Sequence, residues 1–261
     1  MKNKKGRINV SVANIYREAT YGSEVVNQGL LGELITVEKK DKDFSQIKLS
    51  DGYEGWISNY QWVSDMNISY ESLKVRSHFI KIYKEPDLKS DTIRDATIGT
   101  KIQIIKKYND WYEIFLFDGL RGWVEEKSLS KFPELTRQNI VKMVKEFLGY
   151  PYYWGGRSTK GFDCSGLTQT IFSFFYINLP RDSWMQHRDG RYCSDNLSDA
   201  KAGDLYFFAD NGKKITHVGI ALGNDRIIHA RGMVRENSLN PKDENFSEEL
   251  YNSFVDVRTF F

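Results

Sequence analysis

The chain has 261 residues, 40% of them hydrophobic and 14% aromatic, enough for about two packed domains or several smaller modules. Its net charge is only +2, from 37 basic and 35 acidic residues, so no basic footprint for nucleic acid is present; the Lys-rich start (Lys2, Lys4, Lys5, Arg7) reads as a solvated end. No apolar run reaches the roughly 18 residues of a membrane span and nothing after Met1 resembles a signal peptide, which favours a cytoplasmic location, or periplasm, cell wall or secretion if a leader is missing.

The N-terminal half is a duplication. Asp51-Gly52-Tyr53-Glu54-Gly55-Trp56-Ile57 recurs as Asp118-Gly119-Leu120-Arg121-Gly122-Trp123-Val124, and residues 31–57 aligned without a gap to 98–124 give 11 identities in 27. Unrelated sequence would give about two. In each copy short strands (Leu34 to Val37 and Lys101 to Ile104, Phe44 to Leu49 and Trp111 to Leu116) are broken by Asp-Gly, which predicts a tight hairpin turn, and Gly-Trp opens the next strand. Five or so short strands in about 60 residues make a small β-barrel. The pattern resembles the bacterial SH3-like domain over 8–64 and again over 70–131. Tyr53 becomes Leu120 in the second copy, and Glu24 has a counterpart near Asp91, so the first copy carries a Tyr and a Glu of its own. Either the first module has a further task or the copies have drifted.

Pro133-Glu134-Leu135-Thr136 closes the second barrel. Thr136 is the N-cap of a predicted helix through Ile140, Val141, Val144, Phe147 and Leu148, stopped by Gly149 and Pro151. Pro151-Tyr152-Tyr153-Trp154-Gly155-Gly156 then supplies an aromatic cluster and two glycines, suited to a cleft wall whose backbone can approach a ligand. Next comes Gly161-Phe162-Asp163-Cys164-Ser165-Gly166, before the apolar run Leu167 to Ile177. Leu167, Ile171, Phe174 and Phe175 have helical spacing, and Cys164 extends that face by one turn, so the cysteine opens a helix and faces inward. The helix N-terminus lowers its pKa and favours the thiolate, while Asp163 alone pushes the other way. A small buried structural thiol is the alternative.

The strand pair further on decides between them. Leu205 to Phe208 turns at Asn211-Gly212 into Thr216 to Leu222, and Gly223-Asn224-Asp225 turns into Arg226 to Ala230. Alternation puts His217, Gly219 and Ala221 on one face. A three-residue turn pairing Leu222 with Arg226 sets Gly219 opposite His229, making His217 and His229 diagonal neighbours; a one-residue slip would part them. The small residues Gly219, Ala221 and Ala230 leave room for a helix carrying a thiol. A thiolate, an imidazole that takes and returns the proton, and a polar group that orients the imidazole form a nucleophilic triad, and Cys164, His217 and His229 fill those roles in that order. The oxyanion would sit near the Cys164 N–H, with the Tyr152 hydroxyl as second donor. The same three side chains could bind zinc, yet no further cysteine or carboxylate stands at metal-ligand spacing beside them. His78 and His187 read as structural. Of the two cysteines, Cys193 reads as structural or incidental, since pairing it with Cys164 would remove the nucleophile.

Six segments over roughly 136–261 resemble NlpC-type cell-wall cysteine peptidases: Pro151 to Gly156, Phe162 to Leu167, Leu179-Pro180-Arg181-Asp182-Ser183, Ala202 to Leu205, His217-Val218-Gly219-Ile220 and Ile228-His229-Ala230. The resemblance implies an α+β protein, a papain-like domain with a helix-borne cysteine packed on an antiparallel sheet, behind two small SH3-like β-barrels (1–66, 67–132 and 133–261). With both barrels, the chain is similar to γ-D-glutamyl-L-diamino acid endopeptidases, which act on peptidoglycan stem peptides with a free N-terminal L-alanine and release L-Ala-γ-D-Glu. In these the first SH3-like domain closes one end of the cleft. By that resemblance Cys164, His217 and His229 are catalytic, Tyr152, Asp163, Ser165, Asp182, Ser183, Tyr53 and Glu24 bind the oxyanion or substrate, and no cofactor or metal is needed. An amidase or acyltransferase of the same fold, or a wall-binding protein with a degenerate third domain, are the other readings; the last lacks support, because no catalytic residue is missing.

Overall fold

The duplication extends to every strand of the N-terminal unit. The computed structural model describes residues 4–130, 133–210, 212 and 214–261, in two units, 1–132 and 133–261. The first barrel orders its antiparallel strands Val25–Leu30, Val12–Tyr16, Glu54–Ser58, Phe44–Leu49, Leu34–Asp41, Lys4–Ile8, Trp62–Ser64. The second has the same order, and each of its strands starts 67 positions after its counterpart, from Glu71 for Lys4 to Leu129 for Trp62. The cores keep that offset: Ile8, Ile15, Ile35, Ile47 and Ile57 become Val75, Ile82, Ile102, Ile114 and Val124. Side chains alternate along a strand, so β-branched residues at every second position fill a small closed interior.

The repeated Gly-Trp has a packing cause. A Cβ on Gly55 would stand 2.5 Å from the Ile15 side chain and 2.9 Å from the Tyr16 carbonyl oxygen, and one on Gly122 would meet Ile82 and the Tyr83 carbonyl in the same way. Only glycine lets the strands approach this closely. The barrels also touch, since Arg94 donates to Asn9 (2.9 Å) and pairs with Asp118 (2.7 Å).

In the C-terminal unit Thr136 caps helix α1 (Arg137–Lys145), accepting the Asn139 N–H at 3.1 Å. The helix stops short of the predicted end at Leu148. Its closing bonds tighten to i, i+3, from Phe147 N–H to the Val144 carbonyl and from Leu148 N–H to that of Lys145, leaving Phe147 buried and Leu148 exposed. Helix α2 (Cys164–Ser173) opens on the cysteine as expected, followed by α3 (Ser183–Asp189) and later α4 (Glu248–Ser253). One antiparallel sheet runs Arg191–Ser194, Phe254–Thr259, Leu205–Phe208, His217–Gly223, Arg226–Arg231, Met233–Ser238, and α2 packs against the His217 and His229 strands. The unit is α+β.

Of the expected Asn211-Gly212 turn, Asn211 lies outside the described residues. The next hairpin differs from the three-residue turn in detail. Gly223 pairs with Arg226 across a two-residue turn in which Asn224 and Asp225 have φ of 52° and 55°, and the ladder shifts between Gly223 and Ala221, leaving Leu222 as a bulge. The extra residue compensates for the shorter turn, so Ile220 pairs with Ile228 and the two histidines fall where the simpler turn puts them. The room beside Gly219 goes to the sheet itself, because a Cβ there would meet Ile227 at 2.5 Å and His229 at 2.9 Å, and Ala221 packs with Tyr206, Ile227 and Leu250 of α4.

Candidate active site

Cys164 is 9% exposed at the start of α2, reached through two segments pressed backbone to backbone. A Cβ on Gly166 would lie 2.0 Å from the Gly156 carbonyl oxygen, and one on Gly156 would lie 2.3 Å from that of Gly161. These glycines dock the Trp154-Gly155-Gly156 loop on the helix start, in place of the open backbone expected for a ligand.

Asp163 caps that helix and is fully engaged. Its Oδ1 accepts from Gly166 N–H (2.7 Å) and Arg181 Nη1 (3.0 Å), its Oδ2 from Gly155 N–H (2.9 Å) and Arg181 Nη2 (2.5 Å). Ser165 Oγ accepts from Arg181 Nη1 at 3.0 Å and donates to Asp163 at 3.3 Å. Both side chains, expected at the substrate, thus belong to a buried network around Arg181, itself 2% exposed. Gln186 of α3 ties the two helices, donating to the Ser165 carbonyl (3.0 Å) and accepting from Thr168 (2.7 Å). Ser183 is buried at the start of α3, and Asp182 occupies its N-cap position without a side-chain capping bond.

The thiol meets the sheet where the His217 and His229 strands part. Ala221 donates its N–H to the Asp204 carbonyl at 2.8 Å, and amides alternate sides along a strand, so the Val218 amide turns toward the His229 strand. Pairing between those strands ends at Ile220 and Ile228. The Val218 N–H is directed instead at the Cys164 sulfur, as is that of Ser165. The adjacent His217 hydrogen-bonds through Nε2 to His229 Nδ1 at 2.8 Å, the rings near perpendicular at 89°. His229, 1% exposed, hydrogen-bonds through Nε2 to Asn237 Oδ1 at 3.0 Å, and Asn237 Nδ2 donates to the Asn245 carbonyl at 3.1 Å. The structure thus joins His217 to His229, sets the amide next to His217 by the Cys164 sulfur, and adds three groups not singled out from the sequence: Arg181, Asn237 and the Val218 amide. Asn237 had a findable signal, since Arg235 pairs with His229 across a hairpin and alternation then puts Asn237 on the same face.

Burial sets the protonation states. It pushes the Cys164 thiol up to about 12, helped by Asp163, against the opposing pull of the Val218 and Ser165 amides and of Arg181. The expected lowering by the helix terminus is therefore outweighed, and the resting group is a thiol. Burial likewise holds His217 well below its ordinary value, with His229, Arg231 and Arg235 adding to the effect, and lowers His229 to about 4. Both imidazoles are neutral at pH 7. The Tyr152 phenol is raised by burial and by the nearby Cys164 and Asp163, so it keeps its proton as a hydrogen-bond donor.

Zinc fits poorly here, because His229 has both ring nitrogens engaged and no lone pair left for a metal. His187 hydrogen-bonds Asp256 at 3.0 Å and packs on Phe207, a structural role, and Cys193 is exposed with its Sγ against the Arg191 carbonyl. In the N-terminal unit, Glu24 pairs with Arg17 at 2.6 Å, while Tyr53 follows the Gly52 turn and packs partly on the first barrel's core.

A helix-borne thiol beside a histidine pair on an antiparallel sheet defines a papain-like cysteine peptidase domain. The NlpC/P60 family matches residues 149–255, and the bacterial SH3 domain matches 11–63 and 78–130. The γ-D-glutamyl-L-lysine dipeptidyl-peptidase of Bacillus subtilis is 30% identical over 222 residues, covering 83% of this chain and 72% of that protein. The protein of the same name from Bacillus cereus is 28% identical over 231 residues, covering 81% and 68%. The crystal structure of an NlpC/P60 family protein from Bacillus cereus superposes with a TM-score of 0.86 at 24% identity, covering 98% of this chain and 99% of that one. The chain belongs to the NlpC/P60 family of peptidoglycan hydrolases and carries two bacterial SH3 domains ahead of the peptidase domain.

Proposed function

We propose that the protein is a cysteine peptidase that cleaves between γ-D-glutamate and the diamino acid in stem peptides with a free N-terminal L-alanine, releasing L-Ala-γ-D-Glu. The observation that carries the chemistry is the 2.8 Å bond between His217 and His229, on a strand whose next amide faces the Cys164 sulfur. The names of the two Bacillus relatives support the choice of bond. His217 takes the Cys164 proton as sulfur attacks the γ-carbonyl carbon. The resulting oxyanion is held by the N–H at the start of α2 and by the Tyr152 hydroxyl. Collapse breaks the C–N bond, and His217 returns its proton to the leaving amine, giving a thioester. Water, deprotonated by His217, then hydrolyses the thioester and frees the thiol. Asp182 and Ser183 are proposed as substrate contacts. Tyr53 and Glu24 are proposed likewise, on the family resemblance alone.

The test is incubation with L-Ala-γ-D-Glu-L-Lys, with its diaminopimelate analogue and with N-acetylated forms of both, using Cys164→Ala as control. Release of L-Ala-γ-D-Glu from the free-amine peptides is expected at a far higher kcat/KM than cleavage of the acetylated forms. Glu24→Ala should raise KM for the free-amine peptide more than for the acetylated one. Cleavage by Cys164→Ala, or equal cleavage of simple acyl amides, would reject the reading.

A further inference from the structure

Asn237 lies beyond the three residues used above, and its amide can adopt only one orientation. The Asn245 carbonyl oxygen can only accept, so the group meeting it at 3.1 Å is the Nδ2 amide. Oδ1 is thereby turned to His229 Nε2 at 3.0 Å, and it too can only accept. The His229 proton therefore sits on Nε2. Its Nδ1 is left to accept from His217 Nε2–H at 2.8 Å, and a neutral His217 with its proton on Nε2 has a bare Nδ1. The anchor is itself held on both sides, since the Asn245 carbonyl also accepts the Ser238 N–H (3.0 Å) and Ser247 N–H bonds back to the Ser238 carbonyl (2.9 Å).

We propose that Asn237 is a positioning residue that fixes the tautomer of both histidines, so that His217 meets the thiol with an unprotonated nitrogen. This rests on the cysteine-peptidase reading and extends it from three residues to four. The charged groups around the pair point the same way. Arg231, on the His229 strand, and Arg235, directly across from His229, both disfavour the imidazolium, and Arg231 is paired with Glu249 of α4. Among the described residues no carboxylate hydrogen-bonds either ring. A neutral relay cannot be oriented by an ion pair, so the orienting group has to be one whose donor and acceptor ends are fixed. Without Asn237, His229 could carry its proton on Nδ1 and donate it to His217, which would then hold a proton on the nitrogen that should receive one.

The experiment uses the full chain with 15N-labelled histidine. Ring-nitrogen spectra of the wild type at neutral pH should show His217 and His229 both protonated on Nε2, and in Asn237→Leu the signature at His229 should change to a mixture. Alkylation of Cys164 by iodoacetamide and kcat should each fall on the order of tenfold to a hundredfold in Asn237→Leu with KM little changed, a share of the roughly 10²–10⁴-fold that a positioned base supplies. In Asn237→Asp the added charge favours the His229 imidazolium, so the acidic limb of the alkylation profile should move to higher pH, with recovery above it. A proton on His217 Nδ1 in the wild type would overturn the proposal even if a variant folded poorly, and so would variant pH profiles that differ from the wild type only by a constant factor. Spectra and alkylation need no substrate, so failure to cleave either tripeptide would count against the proposed function alone.

Discussion

His229 is an imidazole kept neutral where water hardly reaches it, and that makes stability depend on pH. Its pKa is 6.5 when free and about 4 in the folded protein. Between those values the unfolded chain binds a proton that the folded site refuses, so folding stability is complete above pH 6.5 and falls as pH drops toward 4, by on the order of 3 kcal/mol from this residue. Urea midpoints across that range should show the loss, and His229→Asn should flatten the slope; a parallel slope in the variant would place the titration elsewhere. His229 and His217 could be found from the chain because two strand parities suffice to pair them. Asp163 was legible as a residue of the site but not in its role. Its partner Arg181 approaches from 18 positions away through a loop that no periodicity describes, and only that contact shows the carboxylate holding the helix start. The thiol pKa is not legible for the same reason: a helix terminus is visible in sequence, whereas the depth of burial that outweighs it is not.

The elements around the cysteine fit through glycine. Gly166→Ala would put a methyl 2.0 Å from a backbone oxygen that belongs to the neighbouring loop, and no side-chain rotation relieves such a clash. A loss of about 2–3 kcal/mol in urea unfolding is expected, with slower alkylation of Cys164 as the helix start moves. A fully active, equally stable variant would show that the loop yields easily. Hairpin turns and the start of α1 were readable because Asp-Gly and Thr136 act locally, and that of α2 because its apolar face begins at Cys164. The early end of α1 and the bulge at Leu222 were not, because both depend on how the next segment packs. The bulge shows two local deviations cancelling, leaving the histidine register intact.

At the scale of the molecule, the tandem barrels repeat with no insertion anywhere among their strands, a regularity the sequence displayed in its Gly-Trp repeat and the structure extends to all seven strands of each. This constant offset makes the pair open to unequal recombination. Loss of residues 31–97, one whole period, would join Leu30 directly to Ile98 and leave a hybrid with the first three strands of one copy and the last four of the other. Ile8 and Ile15 would then share a core with Ile102, Ile114 and Val124, and Gly122 would inherit the close approach to Tyr16 that Gly55 makes now. Such a deletion should yield a single folded barrel with core amides protected from hydrogen exchange, and unprotected amides would show that the copies have diverged too far to exchange halves. A tandem built in this way could shrink to one barrel or grow to three by a single in-frame crossover that leaves the strand order intact.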